Sequence, residues 1–245
     1  MKLKPFFYYF GGKYRIAPRY PEPRYDTIVE PFAGAAGYSV RYADRKVVLI
    51  EKSPKIAAIW RYLIGTPADE IMRLPVKVAH TKDIPDPAAG WLIGLWLNKG
   101  AAEPHLQPSK WMRDGWRPKS SWGPEIRERI ASQVEHIRHW KIIEADWWTA
   151  ADIEATWFID PPYHASGKHY PFNKVDYTAL SIWCKARVGQ TIVCEQQGAD
   201  WLPFKPFHDA KGTSGKAGAR RTQEVIWTAC ALSEADALIK EARKC

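Results

Sequence analysis

Short apolar runs punctuate the chain, each closing on an acid or a turn, and stretches with helical spacing lie between them. Thr27-Ile28-Val29-Glu30 is the first such run. It passes into the small-residue turn Pro31-Phe32-Ala33-Gly34-Ala35-Ala36-Gly37, after which a helix is expected over 38–45. Val47-Val48-Leu49-Ile50, ending at Glu51, is continuously apolar rather than alternating, the pattern of a strand buried on both faces. A helix over 56–63 follows. Strand, glycine turn, helix, strand ending in an acid, helix make a βαβα unit, and hence a parallel sheet.

From about 66 to 140 that rhythm breaks. The stretch is rich in Trp, Pro, Lys and Arg, and its expected helices, 88–97 and 125–140, have no strand between them, so it reads as an insert. Alternation then resumes with a strand over 156–159 ending at Asp160, a helix over 177–185, strands over 191–194 and 225–228, and a terminal helix over 233–244. The domain reading is therefore a catalytic part made of 1–65 and 141–245, interrupted by an inserted region, 66–140. There is no internal repeat and no low-complexity tract.

Composition narrows the class. With 245 residues, 46% of them hydrophobic, the chain can bury a substantial core. A net charge of +9 favours polyanionic partners, nucleic acid above all. Thirteen tryptophans, some in basic loops, offer aromatic faces that can stack on bases. No apolar run reaches membrane-spanning length, and the N-terminus does not read as a signal peptide. Cys184, Cys194, Cys230 and Cys245 have no metal-ligand spacing, and an intracellular, reduced protein is expected. His136 and His139 fall on one face of the expected helix without a third ligand, so no metal site is expected.

The chemistry concentrates at strand ends. Asp160-Pro161-Pro162-Tyr163 directly follows a hydrophobic strand, and in an open parallel sheet ligands bind beyond the carboxyl ends of strands. A carboxylate and a backbone carbonyl can accept hydrogen bonds from a flat amino group, and the tyrosine ring can stack on it. The same tetrapeptide can also be a rigid turn capped by its aspartate. Small residues after the first strand let the backbone approach a ligand closely. Glu51 lies about twenty residues beyond that turn, where dinucleotide-binding sheets place the acid that accepts ribose hydroxyls. An ordinary strand-to-helix turn and a solvated strand end are the plainer readings of these two features.

Taken together, Tyr9-Phe10-Gly11-Gly12-Lys13, Glu30-Pro31-Phe32-Ala33-Gly34, Glu51, Asp146-Trp147 and Asp160-Pro161-Pro162-Tyr163 resemble, in order, the motifs of the Dam-type (D12 class) adenine-N6 DNA methyltransferases of bacteria and phages. The resemblance spans roughly 6–230, although the insert carries no matching pattern. It implies a doubly wound, mostly parallel α/β methyltransferase sheet, with the mainly helical insert serving target recognition. S-adenosyl-L-methionine is the implied cofactor and double-stranded DNA the implied partner, in the cytoplasm of a bacterium or a phage-infected host. Tyr9 and Lys13, flanking Gly11 and Gly12, would contact the methionyl end; Glu30, Pro31, Phe32, Ala33 and Gly34 would form the cofactor loop. Glu51 would take the ribose and Asp146 would lie near the cofactor's adenine. Asp160 to Tyr163 would hold the target adenine. Two departures stand out. Gly34-Ala35-Ala36-Gly37 replaces a tighter Gly-x-Gly, and Glu51 stands where Dam itself has Asp.

For DNA contact the candidates are Lys99, Lys110, Arg113, Arg117 and Lys119, interleaved with Trp96, Trp111, Trp116 and Trp122. Lys211, Lys216, Arg220 and Arg221 form a second set around a Gly-rich loop. A solvated basic surface is the alternative for any one of them. Competing functional readings are an RNA or N4-cytosine amino-methyltransferase, and a DNA-binding protein on an inactive methyltransferase scaffold.

Overall fold

The computed structural model describes residues 2–98, 100–113, 120–211 and 221–231. Their centre is a seven-stranded mixed sheet. Its strands are β1 (Thr27–Glu30), β2 (Lys46–Glu51), β3 (Lys141–Glu144), β4 (Ala155–Ile159), β5 (Gly189–Gln196), β6 (Lys205–Lys211) and β7 (Arg221–Ala231). They lie in the order β3-β2-β1-β4-β5-β7-β6. The first five are parallel, while β7 runs antiparallel to both β5 and β6.

Strand periodicity divides the buried side chains between two cores. Ile28, Val47, Leu49, Phe158, Ile192 and Cys194 face one cluster, and Val29, Ile50, Trp157, Ile159 and Val193 face the other. On the first side pack the N-terminal segment and the apolar stripes of α1 (Pro54–Gly65), α2 (Ala68–Arg73), α3 (Pro87–Trp96) and α5 (Pro124–Val134). The short α4 (Lys110–Arg113) sits at its margin through Met112. Leu180 and Cys184 of α6 (Tyr177–Lys185), with Trp147 and Leu202, cover the second side. This is an α/β fold with helices on both faces of the sheet. No helix among the described residues is long and apolar enough to cross a membrane.

Order and direction together place the site. The chain lays β2 and β3 on one side of β1, then returns to lay β4 and β5 on the other. The loops leaving β1 and β4 therefore part in opposite directions, and such a switch point opens a crevice beyond the carboxyl ends of the strands.

Several elements differ from the sequence reading. The helix expected over 38–45 is only a 3-10 turn, Ser39–Tyr42. Side chains hold this segment instead of a helical ladder. Tyr38 is wholly buried, stacks on Phe158 at 4.3 Å and donates to the Pro21 carbonyl at 2.7 Å. The helix expected over 125–140 ends at Val134 and passes through a 3-10 turn, Glu135–Ile137. His136 and His139 therefore share no helix face, and His139 Nε2 lies 2.9 Å from the Arg45 carbonyl. Two strands were not anticipated, β3 and β6, both at sheet edges. The terminal helix over 233–244 and the Gly-rich loop 212–219 lie outside the described residues.

Candidate active site

The N-terminal segment crosses the crevice, and its path is set by close backbone approaches. A Cβ on Gly37 would lie 2.5 Å from Tyr14 N and 3.0 Å from Lys13 N, so a bare glycine lets the two loops cross. Gly11 has φ +72°, and a Cβ there would strike the Tyr170 hydroxyl. The crossing buries Lys13, which is only 5% exposed. Its ammonium donates to the Gly11 carbonyl at 2.9 Å and lies 2.8 Å from both oxygens of Asp160. Burial works against this charge, but Asp160, Tyr163 and Glu224 outweigh it and hold the ammonium well above its ordinary pKa.

Three acids border the crevice on the β1–β2 side. Glu30, at the end of β1, is buried, and its Oε1 accepts from Ser39 N at 2.7 Å. Burial pushes its pKa up to about 8. Glu51, at the end of β2, accepts from Gly34 N at 2.9 Å through one oxygen and from Ser53 N at 2.8 Å through the other. Burial raises its pKa as well, against those backbone donors. Each oxygen keeps a second lone pair for a ligand hydroxyl. The Gly34 carbonyl accepts from Trp60 Nε1 at 2.7 Å, which pins the turn to α1. Asp146 caps the turn at Trp147 through its backbone N–H at 2.9 Å and pairs with Lys52 at 2.5 Å.

On the β4 side the chain turns sharply at Asp160-Pro161-Pro162-Tyr163. Its brace comes from β5, where Glu195, with no exposed surface, accepts from His164 N at 2.6 Å and from Gln196 N at 3.0 Å. Burial lifts Glu195 to about 7. The Pro162 carbonyl accepts the Tyr177 hydroxyl, and Gly167 packs so closely on Pro162 that a Cβ would lie 2.9 Å from the ring. Asp160 is raised above the ordinary carboxylate range by burial, with Lys13 pulling the other way. Its Oδ1 is buried, with the Lys13 ammonium 2.8 Å away as an ion-pair partner outside good hydrogen-bond geometry. Lys13 also sits over the Tyr163 ring, 4.8 Å from its centre.

These pieces enclose one cleft of about 840 Å³, its open mouth included. Tyr9, Gly11, Gly12, Lys13, Glu30, Pro31, Phe32, Ala33, Gly34, Glu51, Asp146 and Asp160 all line it, and so does Pro162. Pro161 and Tyr163 do not line it. Lys110 and Arg113 are exposed on α4, away from the cleft, with Arg113 donating to the Pro108 carbonyl at 2.5 Å. Lys99, Trp116, Arg117, Lys119, Lys216 and Arg220 lie outside the described residues. So do the side chains of Trp111, Lys211 and Arg221. Further residues join the site without having been anticipated. Lys52, Tyr170, Phe172 and Lys174 line the cleft, while Glu195 and Glu224 brace its floor. Only Lys52, adjacent to Glu51, carried a positional signal.

No protein-family model matches the sequence, and no curated protein does. A solved structure titled "conserved hypothetical protein", from Streptococcus pyogenes, is similar with a TM-score of 0.37 and 11% identity, over 87% of this chain and 91% of that one.

Proposed function

We propose that this protein is a DNA methyltransferase that uses S-adenosyl-L-methionine to methylate N6 of an adenine turned out of the duplex. The observation that carries the proposal is the convergence of five separated motifs on one cleft at the switch point of the sheet. The residues present fit the cofactor. The cleft volume falls within the range of small-molecule sites. Gly34, with φ +45° and Tyr9 only 3.1 Å from where a Cβ would sit, forms a cradle that a side chain would fill. Glu51 retains acceptor capacity for ribose hydroxyls, Tyr9 and Lys13 would hold the methionyl end, and Glu30 belongs to the loop that would carry the cofactor. When bound, the cofactor supplies a methyl group activated on a sulfonium.

What this chain contributes is position. The lone pair of an aromatic amine is delocalised into the ring, so the amine is a poor nucleophile. Asp160, whose carboxylate oxygens face the Lys13 ammonium, would accept one amino hydrogen, with the Pro161 carbonyl as a second acceptor. Two such bonds hold the nitrogen toward tetrahedral geometry and keep electron density on it, and alignment supplies much of the rate. Flipping the adenine costs a few kcal/mol, for which stacking and backbone contacts compensate.

The test combines calorimetry of cofactor binding with transfer of labelled methyl to DNA, followed by nucleoside mass spectrometry. N6-methyladenine is the expected product. N4-methylcytosine, label only in RNA, or folded protein that binds no cofactor would each overturn the reading. In the same assay Asp160→Ala is expected to lose turnover while remaining folded. Retention of more than about a tenth of wild-type rate, a loss under ~1.4 kcal/mol, would remove Asp160 from its role.

A further inference from the structure

Glu224 enters the floor of the site from β7, where it pairs in register with Gln196 of β5 and His208 of β6. Its Oε2 accepts the Tyr20 hydroxyl at 2.8 Å. Its Oε1 accepts the Tyr163 hydroxyl at 3.4 Å and lies 4.0 Å from Lys13 Nζ. Its side chain is 13% exposed. Lys13 is thus a single buried cation between two carboxylates, held by Asp160 and within reach of Glu224. A substrate amino group that engages Asp160 must compete with this ammonium, and an ammonium left in so enclosed a place without a counterion is strongly disfavoured.

We propose that Glu224 is a positioning residue that shares Lys13 with Asp160. It takes up more of the ammonium when the substrate's amino group engages Asp160, and it holds the Tyr163 hydroxyl throughout. This rests on the reading of Asp160 as the acceptor for the target amine. No bond is made or broken at Glu224. Its effect is to free a carboxylate oxygen without stranding a buried charge.

Replacing Glu224 by Gln keeps its shape and one of its two acceptor oxygens but removes the charge, leaving Lys13 wholly to Asp160. The expected result for Glu224→Gln is a kcat lower by about tenfold or more with cofactor affinity within about twofold of wild type. Glu224→Asp should recover part of the rate. The groups facing this carboxylate are Lys13, Tyr20, Asp160, Tyr163 and Cys194, with His208 opposite it on β6 and Arg19 on His208. Because the charge of Glu224 helps to raise Asp160, the acid limb of the kcat–pH profile should move to lower pH in Glu224→Gln. It should stay in place in Tyr20→Phe, which loses a hydrogen bond but no charge. A ligand-free double-mutant cycle with Lys13→Met and Glu224→Gln, read by chemical denaturation, should be non-additive. An additive cycle overturns the proposal, as does a kcat within about threefold of wild type with an unmoved acid limb. Wild-type protein that binds cofactor but methylates no nucleic acid sinks the function reading instead, and the cycle still decides whether Glu224 holds Lys13.

Discussion

At the scale of single residues, a carboxylate of the cleft can order its own loop as well as meet a ligand. Glu51 is expected to take a ligand's ribose, yet its two oxygens already order Gly34 N and Ser53 N. Glu51→Ala should therefore weaken S-adenosyl-L-methionine by about 1.5–3 kcal/mol, the range for losing a charged acceptor. Calorimetry checks this, and unchanged affinity would mean that the acid serves the loop alone. Glu30 makes a prediction about stability. Its pKa rises from 4.5 to about 8 on folding, so between those values the folded protein keeps a proton that the unfolded chain has released. Stability from this group is then lost as pH rises through that window and levels off above it. Glu30→Gln carries no such proton and can still accept from Ser39 N. The stability of wild type relative to the variant, measured by urea unfolding across pH, should decline from pH 5 to 8. A difference that stays flat would show that Glu30 is not buried in its neutral form.

At the scale of elements, what could be read along the chain is what local pattern encodes. The α6 span Tyr177–Lys185 and the cores of β1, β2, β4 and β5 follow from apolar runs bounded by turns. β3 and β6 were invisible for opposite reasons. Lys141-Ile142-Ile143-Glu144 is a four-residue edge strand with Ile143 44% exposed, so its short apolar pair gave no periodicity. β6 contains Pro206 and a register shift between Pro206 and His208, features that an edge strand tolerates and a sequence pattern reads as loop. The cleft motifs could be read because each sits beside a strand end. Glu195 and Glu224 could not, since both are polar positions within strands, and the contacts that bring them to the site reach residues more than 30 positions away. The glycine loop is the element whose packing is most open to test. Gly37→Ala should cost about 1–3 kcal/mol by forcing apart the backbones that cross there, and should weaken cofactor binding by moving Lys13. Gly65→Ala, with open space around its Cβ, serves as the control. Equal melting temperatures for the two variants would show that the crossing is looser than described.

At the scale of the whole molecule, charge and placement bear on how a duplex would be held. The chain carries a net charge of +9, while in the cleft Glu30, Glu51, Asp146 and Asp160 outnumber Lys13, Lys52 and Lys174, so the cationic surplus lies elsewhere. The segment that carries α4 is tied to the cleft, because Phe10 N donates to the Ala101 carbonyl at 3.1 Å and Phe10 itself lines the cleft. Lys110 and Arg113, further along the same segment, do not line the cleft and are both exposed. Phosphate contacts outnumber base contacts in protein–DNA interfaces, so a sequence-independent role is expected for this pair. Lys110→Ala and Arg113→Ala should each weaken cognate and scrambled duplexes alike, and each should reduce the slope of log affinity against log salt by about one. Arg220 and Arg221, candidates from the sequence alone, enter the same titration. If either reads a base, its loss should fall on the cognate site alone, by roughly 1–3 kcal/mol. Fluorescence anisotropy of each single variant across a salt series separates these outcomes. Affinity and slope unchanged in all four variants would place the duplex on another face, and neither α4 nor the start of β7 would then have a part in recognition.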